Sequence, residues 1–393
     1  MERTDIAIVG GGLASARVVS AYREAGGRDT VALLSADSQP PYHRPPLSKR
    51  VLRGEAEPES AIVEPADYYA EHDVALRLGT HVRSLDLGAR ELELDDGERL
   101  GFERLVIATG ASPRRLDVPG ADLDGVYTLR TMDNARTIRQ RAESAKAAVI
   151  VGTGFIGLET AASLRAVGVE VTLLGSDHAL FGALGAPQFS QHLESVYRAQ
   201  GVDVRLGESV EEFLGDGTLR AARLTGGDEA PADLAIVGIG VVPGTGWLEG
   251  SGIEVDEKSH GVTVDQRYAT TADGVFAVGD VAAFYDPVFG RRRRIEHWSN
   301  ANLQGQQLGR ILAGSDEAYD AVSTFFTEIF GTSYKVFGDS TGADDLVLEG
   351  DFADGAAVLH YLSNGARVAA LLTGQSEERE DELKQAIRER APL

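Results

Sequence analysis

The feature that most limits what this chain can fold into is a pattern it carries twice. Ile6 to Asp37 reads IAIVGGGLASARVVSAYREAGGRDTVALLSAD, and Ala148 to Asp177 reads AVIVGTGFIGLETAASLRAVGVEVTLLGSD. Each copy is an apolar strand, a glycine turn, a stretch with the apolar periodicity of a helix, a short loop and a second apolar strand. That order makes a βαβ unit. One glycine fingerprint would be a weak signal, but two in full strand–turn–helix–strand context are a strong one. They predict an α/β protein with two Rossmann-like dinucleotide-binding domains.

The two turns share one spacing and differ in the residue at their third position. Gly10, Gly12 and Ser15 form the first, and Gly152, Gly154 and Gly157 the second. Gly10 and Gly12 let the backbone approach a pyrophosphate at a helix N-terminus. Ser15 breaks the third-glycine rule but is small enough for near-normal packing of helix on strand. The acid that usually holds a ribose would fall at Ser35 and Gly175, and neither is acidic. Both copies carry an aspartate two residues further on, Asp37 and Asp177. Either a bulged loop brings that aspartate in, or the ribose is held otherwise. Glu159 is a second oddity, because a carboxylate just past the last glycine competes with an anionic ligand for the helix N-terminus.

Between the copies, alternating apolar positions and a DDG turn predict a β meander that closes in the buried strand LVIATG, Leu105 to Gly110. A related meander follows the second copy and closes in ADLAIVGIG, which ends at Gly238 and Gly240. TTADGVFAVGD, Thr270 to Asp280, places Gly279 and Asp280 at the mouth of another buried strand, where Asp280 could accept from a polyol hydroxyl or cap a helix. From about Ser323 the pattern becomes a small antiparallel sheet with a charged terminal helix, a small α+β C-terminal domain. The expected division is 1–112 with 246–322, then 113–245, then 323–393.

Composition narrows the function. The chain has 393 residues, 43% of them hydrophobic and 25% charged, as in an ordinary globular protein. No apolar run approaches a membrane span, and the N-terminus leads directly into a strand, so a cytoplasmic location is expected. The formal net charge of −23 argues against nucleic-acid binding. There is no cysteine, which removes disulfides, thiolate nucleophiles, Cys-ligated metals and redox dithiols.

The two turns, LVIATG, ADLAIVGIG and VFAVGD occur in the order seen in two-dinucleotide flavoproteins of the glutathione-reductase type. PYHRPPLSK (Pro41 to Lys49), TLRTMDNA (Thr128 to Ala135) and EHW (Glu296 to Trp298) narrow the match. Over nearly its full length the chain resembles the FAD-dependent ferredoxin reductases of oxygenase systems. Without cysteine it cannot relay electrons through a protein thiol, so they must leave the flavin for something external.

The resemblance implies FAD in the first domain and a nicotinamide dinucleotide in the second, with NADH favoured over NADPH. Ala14 and Ser15 would lie against the FAD pyrophosphate, Asp37 near the adenosine ribose, and Val82 against the adenine. Arg44 and Lys49 would flank the cofactor, with Thr109 and Gly110 passing close to it. Arg130 would contact its phosphates or their neighbours, Asp280 the ribityl chain and Trp298 the flavin end. Gly152, Gly154, Ile156 and Gly157 would hold the nicotinamide dinucleotide, with Gly238 and Gly240 giving room opposite. Gly175 lacks the family's acid, and Asp177 could substitute. Lys49 and Glu159 are expected as a partly buried ion pair between the two domains, beside the hydride-transfer site. FFTEIF, Phe325 to Phe330, departs from the family's pattern by placing Phe326 where tryptophan is usual.

GRRRRIEHW, Gly290 to Trp298, is the one dense basic run. It is either a solvated hairpin edge or, through Arg291, Arg292 and Arg293, a docking patch for an acidic ferredoxin. The expected function is electron transfer from NAD(P)H through FAD to an external iron–sulfur protein, by a monomer or homodimer. Two alternatives remain open at this point: direct action on a small molecule, quinone or O₂, and a redox-sensing role.

Overall fold

The computed structural model describes residues 2–393. Contacts divide the chain into two compact units, Met1–His43 with Ala61–Ser112 and Val242–Ala321, and Arg44–Ser60 with Pro113–Val241 and Val322–Leu393.

The first unit is built on a 7-stranded sheet. Its parallel part comprises Glu2–Val9, Val31–Leu34, Val74–Arg77, Val275–Ala277 and Arg99–Ile107. The predicted meander, Val82–Asp86 and Glu91–Leu94 with Arg99–Ile107, completes it in antiparallel pairing. Register decides where the site lies. Val9 pairs with Leu34 and Ile107, and Ile107 with Ala277, so these strands end level. The residues that follow them, Gly10, Ser35, Ala108 and Val278, therefore share one edge, the carboxyl end where open α/β sheets bind ligands.

Two helices cover this sheet, Leu13–Glu24 and Trp298–Leu312. They approach closely because Gly305 and Gly309, one turn apart, face the first helix. A Cβ at Gly305 would lie 2.5 Å from the Ala14 carbonyl oxygen, and one at Gly309 would lie 2.6 Å from that of Val18. Only bare backbone fits there.

The second unit repeats the logic. Its five-stranded sheet, Asp203–Leu206, Glu170–Gly175, Ala147–Val151, Leu234–Val237 and Val126–Tyr127, is parallel throughout. Val151 pairs with Val237, and Leu174 with Val151, so the turns at Gly152, Gly175 and Gly238 again share the carboxyl edge. The same unit contains a five-stranded antiparallel sheet in the order Thr324–Ile329, Thr332–Gly338, Ala366–Thr373, Ala356–Ser363, Asp345–Asp351, with the helix Glu377–Arg388 against it. The α/β class with two Rossmann-like elements and a small C-terminal α+β part is therefore the architecture of the chain. The C-terminal sheet groups with the second βαβ element rather than standing apart.

Candidate dinucleotide sites

The first glycine turn is shaped by backbone constraints. Gly10 has φ +124°, and a Cβ there would come within 2.1 Å of the Ala108 carbonyl oxygen. Gly12 differs: it is the N-cap of Leu13–Glu24, and a Cβ on it would meet nothing within 4 Å. The protein leaves that space open, at a helix start with no acidic residue in its first turn. A group that needs close backbone contact and carries negative charge, such as a pyrophosphate, fits it.

Ser15 and Gly157 occupy the same position of the two turns and solve it differently. A Cβ at Gly157 would lie 1.8 Å from the Gly152 carbonyl oxygen. Ser15 instead donates its hydroxyl to the Gly10 carbonyl at 2.5 Å. The serine turns a close approach into a hydrogen bond.

The first unit contains most of the other residues singled out for the first site. Asp37 is fixed by Tyr42, whose hydroxyl donates to it at 2.6 Å, and by the Gln39 N–H at 3.1 Å. Its own N–H donates to the fully buried Ser35 hydroxyl at 3.2 Å. Thr109 donates to the Gly244 carbonyl at 2.7 Å, and Gly110 has φ +66°. Val82 opens its strand half-buried. Gly279 has φ +77°, and a Cβ there would lie 3.2 Å from that of Ala14. Asp280 follows it in the same 3-10 turn, its carbonyl accepting from Arg294 at 3.1 Å.

Two residues here were not singled out from sequence. Gln304, fully buried, accepts from the Gly279 N–H at 2.8 Å and so fixes the turn that carries Asp280. Its signal was present, since Asn300, Gln304 and Gln307 are carboxamides buried on one face of a helix whose other buried residues are apolar or small. His43 accepts at Nδ1 from the Trp298 indole N–H at 2.9 Å. Burial, with help from the Arg17 charge, holds the His43 ring below its ordinary pKa, which keeps that nitrogen free to accept.

In the second unit, Gly152 has φ +114°, and a Cβ on it would lie 2.3 Å from the Gly238 carbonyl oxygen. Gly154 is the helix N-cap, and a Cβ on it would again meet nothing within 4 Å. Gly238 lies against Gly157 and Ile156, and Gly240 has φ +97°. Gly175 ends its strand beside Thr153. Asp177 is exposed in the loop beyond it.

Lys49 and Glu159 meet. The ammonium lies 2.6 Å from the carboxylate, with side chains 10% and 6% exposed. The segment Arg44–Ser60 groups with the second unit, so the pair lies inside that unit. Glu159 is further satisfied by Thr327, which donates to the same oxygen at 2.8 Å, and by Ser48, which donates to the other at 2.5 Å. Such saturation is what a buried charge requires. Neither hydroxyl was singled out from sequence; Ser48 adjoins Lys49, whereas Thr327 comes from a distant strand. Arg44 donates to the Arg130 carbonyl, while the Arg130 N–H is held by the Asn134 side chain at 3.1 Å.

The basic run forms a strand, Arg291–Arg294, antiparallel to Ala282–Asp286. Much of its charge is committed within the chain. Arg292 donates to the Ala283 carbonyl at 2.8 Å, and Arg293 pairs at 2.7 Å with Asp286, which is fully buried. Arg294 donates to the Ser259 carbonyl at 2.9 Å and pairs with Glu296.

Two glycine cradles, each at the carboxyl edge of parallel strands, define a dinucleotide-binding fold. The pyridine nucleotide-disulphide oxidoreductase profile matches residues 4–305, and the chain belongs to that family. It is 37% identical over 371 residues to the ferredoxin reductase component of a chlorobenzene dioxygenase from Cupriavidus sp. (strain PS12), covering 94% of this chain and 88% of that one. It is 37% identical over 359 residues to the ferredoxin–NAD(+) reductase component of a p-cumate 2,3-dioxygenase system from Pseudomonas putida, covering 91% and 87%. Among solved structures it is similar to the covalent putidaredoxin reductase–putidaredoxin complex, with a TM-score of 0.94, 31% identity, and coverage of 100% of this chain and 95% of that one.

Proposed function

We propose that this chain is a flavoprotein reductase that passes electrons from NADH through FAD to an external iron–sulfur protein of the ferredoxin type. The observation that carries it is the presence of two anion-ready cradles in a chain with no cysteine. The full-length likeness to ferredoxin reductase components supports the same reading.

The first cradle's bare backbone fits FAD, which supplies the redox chemistry when bound. Gly10, Gly12, Ala14 and Ser15 receive its pyrophosphate, and Asp37, held in place by Tyr42, receives a ribose. Val82 lies along the adenine, with Thr109 and Gly110 beside the cofactor. Gly279 and Asp280, fixed by Gln304, take the ribityl chain, and Trp298, oriented by His43, faces the ring end. Arg44 and Arg130 balance phosphate charge. Gly152, Gly154, Ile156 and Gly157, with Gly238 and Gly240, hold the nicotinamide dinucleotide.

Lys49 and Glu159 serve the hydride-transfer side. Their role is electrostatic and positional: a fixed ammonium whose counter-charge is itself tied down by Ser48 and Thr327. The partner is an acidic ferredoxin, steered by Arg291 with Arg292 and Arg293. Asp286 is buried and balances Arg293, so charge reversal at Arg293 would also break a buried pair, and steering is tested at the exposed Arg291. The location is cytoplasmic, and no helix among the described residues is long and apolar enough to cross a membrane. Anaerobic mixing of the flavin-loaded protein with NADH, then with an oxidised ferredoxin, tests the assignment.

A further inference from the structure

The nucleotide preference rests on a position that packing closes. Gly175 ends its strand where an acid would meet the adenosine ribose of the nicotinamide nucleotide. A Cβ built there would lie 2.6 Å from the Thr153 Cγ2, 3.3 Å from its Oγ1 and 3.2 Å from the Leu206 Cδ2. Real side chains do not approach so closely, so threonine at 153 and any larger residue than glycine at 175 exclude each other.

Thr153 has little freedom to move aside. Its branched side chain is stiff at χ1. Its carbonyl accepts from the Phe181 N–H at 3.0 Å, and its hydroxyl donates to the Ala179 carbonyl at 3.4 Å. The loop after Gly175 therefore holds Thr153 through both backbone and side chain. With its proton directed at Ala179, Thr153 Oγ1 keeps lone pairs for another donor. Standing beside the closed acid position, it can accept from a ribose hydroxyl as a carboxylate would, without the charge that repels a 2′-phosphate.

We propose that Thr153 reads the adenosine ribose of the nicotinamide nucleotide as a neutral acceptor, and that the chain consequently prefers NADH to NADPH only weakly. This rests on the second glycine turn being the NAD(P)H site. Asp177 is the rival reader, a charged one two residues past the closed position. It is exposed, and its carboxylate lies 3.5 Å from where a Cβ on Gly182 would stand.

The test measures binding of ADP-ribose and of 2′-phospho-ADP-ribose to the flavin-loaded protein by titration calorimetry. The wild type binds both, with affinities within about tenfold of each other. Thr153→Ala weakens ADP-ribose about three- to tenfold, the loss of one hydrogen bond, and affects the 2′-phosphorylated ligand less. The double variant Thr153→Ala/Gly175→Asp opens the position and fills it with charge, raising discrimination against the 2′-phosphate to about a hundredfold. Asp177→Asn changes the ratio little.

A wild type that already discriminates a hundredfold, with the discrimination lost in Asp177→Asn, would overturn the proposal in favour of Asp177. Unchanged affinities in Thr153→Ala, with a melting temperature like the wild type's, would overturn it too. Failure of both ligands to bind would overturn it together with the reading of the second turn. The two failures are separable, because bleaching of the flavin absorbance by NADH survives the first two outcomes and not the last.

Discussion

At the scale of single residues, the two cradle glycines that sequence spacing treats alike have different duties. Gly10 is required by the protein itself, through a positive φ and the nearby Ala108 carbonyl. Gly12 has extended backbone and open space around it, so nothing in the protein itself requires glycine there. Gly10→Ala is therefore expected to destabilise the fold by more than about 2 kcal/mol in urea unfolding. Gly12→Ala is expected to leave ligand-free stability within about 1 kcal/mol while weakening FAD at least about tenfold, as read by flavin fluorescence. Glu159 gives a second residue-level expectation. Glu159→Ala strands the Lys49 ammonium away from water and costs about 3–5 kcal/mol. Removing both charges together, as Lys49→Met/Glu159→Leu, costs much less. If the single and double variants lose equal stability in urea, the pair is not a coupled unit. The Lys49–Glu159 contact was legible only through the family resemblance carried by the two motifs, which had it between domains rather than within one unit. Its hydroxyl neighbours were not, because Thr327 lies 168 positions from Glu159 and nothing local marks it.

At the scale of elements, periodicity and turn chemistry carried both βαβ units and the meander, since each is a local pattern repeated over whole strands. They could not carry the face-to-face contact of Leu13–Glu24 with Trp298–Leu312. Gly305 and Gly309 read as weak points in a helix until the facing backbone is known. Gly309→Ala is expected to push the helices apart and cost about 1–3 kcal/mol in urea unfolding. A neutral result would mean that the helices part at no cost. The basic run is the converse lesson: composition reads it as free surface charge, yet Arg293 holds the fully buried Asp286. Reversing Arg293 would confound docking with loss of that pair, so docking is tested at the exposed Arg291. Arg291→Glu is expected to slow ferredoxin reduction at low salt and to converge on wild type at high salt.

At the scale of the whole molecule, acid sensitivity follows from four histidines held neutral by burial, His43, His192, His297 and His360. Burial, offset in part by Asp280, pushes the His297 ring down to about 4, and burial likewise lowers His43. By surface area His297 is only partly covered, so solvent reduces the energetic effect. The unfolded rings titrate near about 6.5. Below that pH the unfolded chain binds protons that the folded chain refuses, so stability present above about 6.5 is lost as pH falls towards 4. A loss of about 1–3 kcal/mol across that window is expected from urea midpoints, and His43→Gln/His297→Gln reduces it. A slope unchanged in the double variant would assign the acid sensitivity to His192 and His360 or to carboxylates.

Electron flow through the whole molecule is the central claim, and anaerobic stopped-flow spectroscopy of the flavin-loaded protein tests it most directly. NADH is expected to bleach the flavin absorbance, and subsequent mixing with an oxidised ferredoxin to restore it as the ferredoxin is reduced. Flavin absorbance unchanged by both NADH and NADPH would contradict the account.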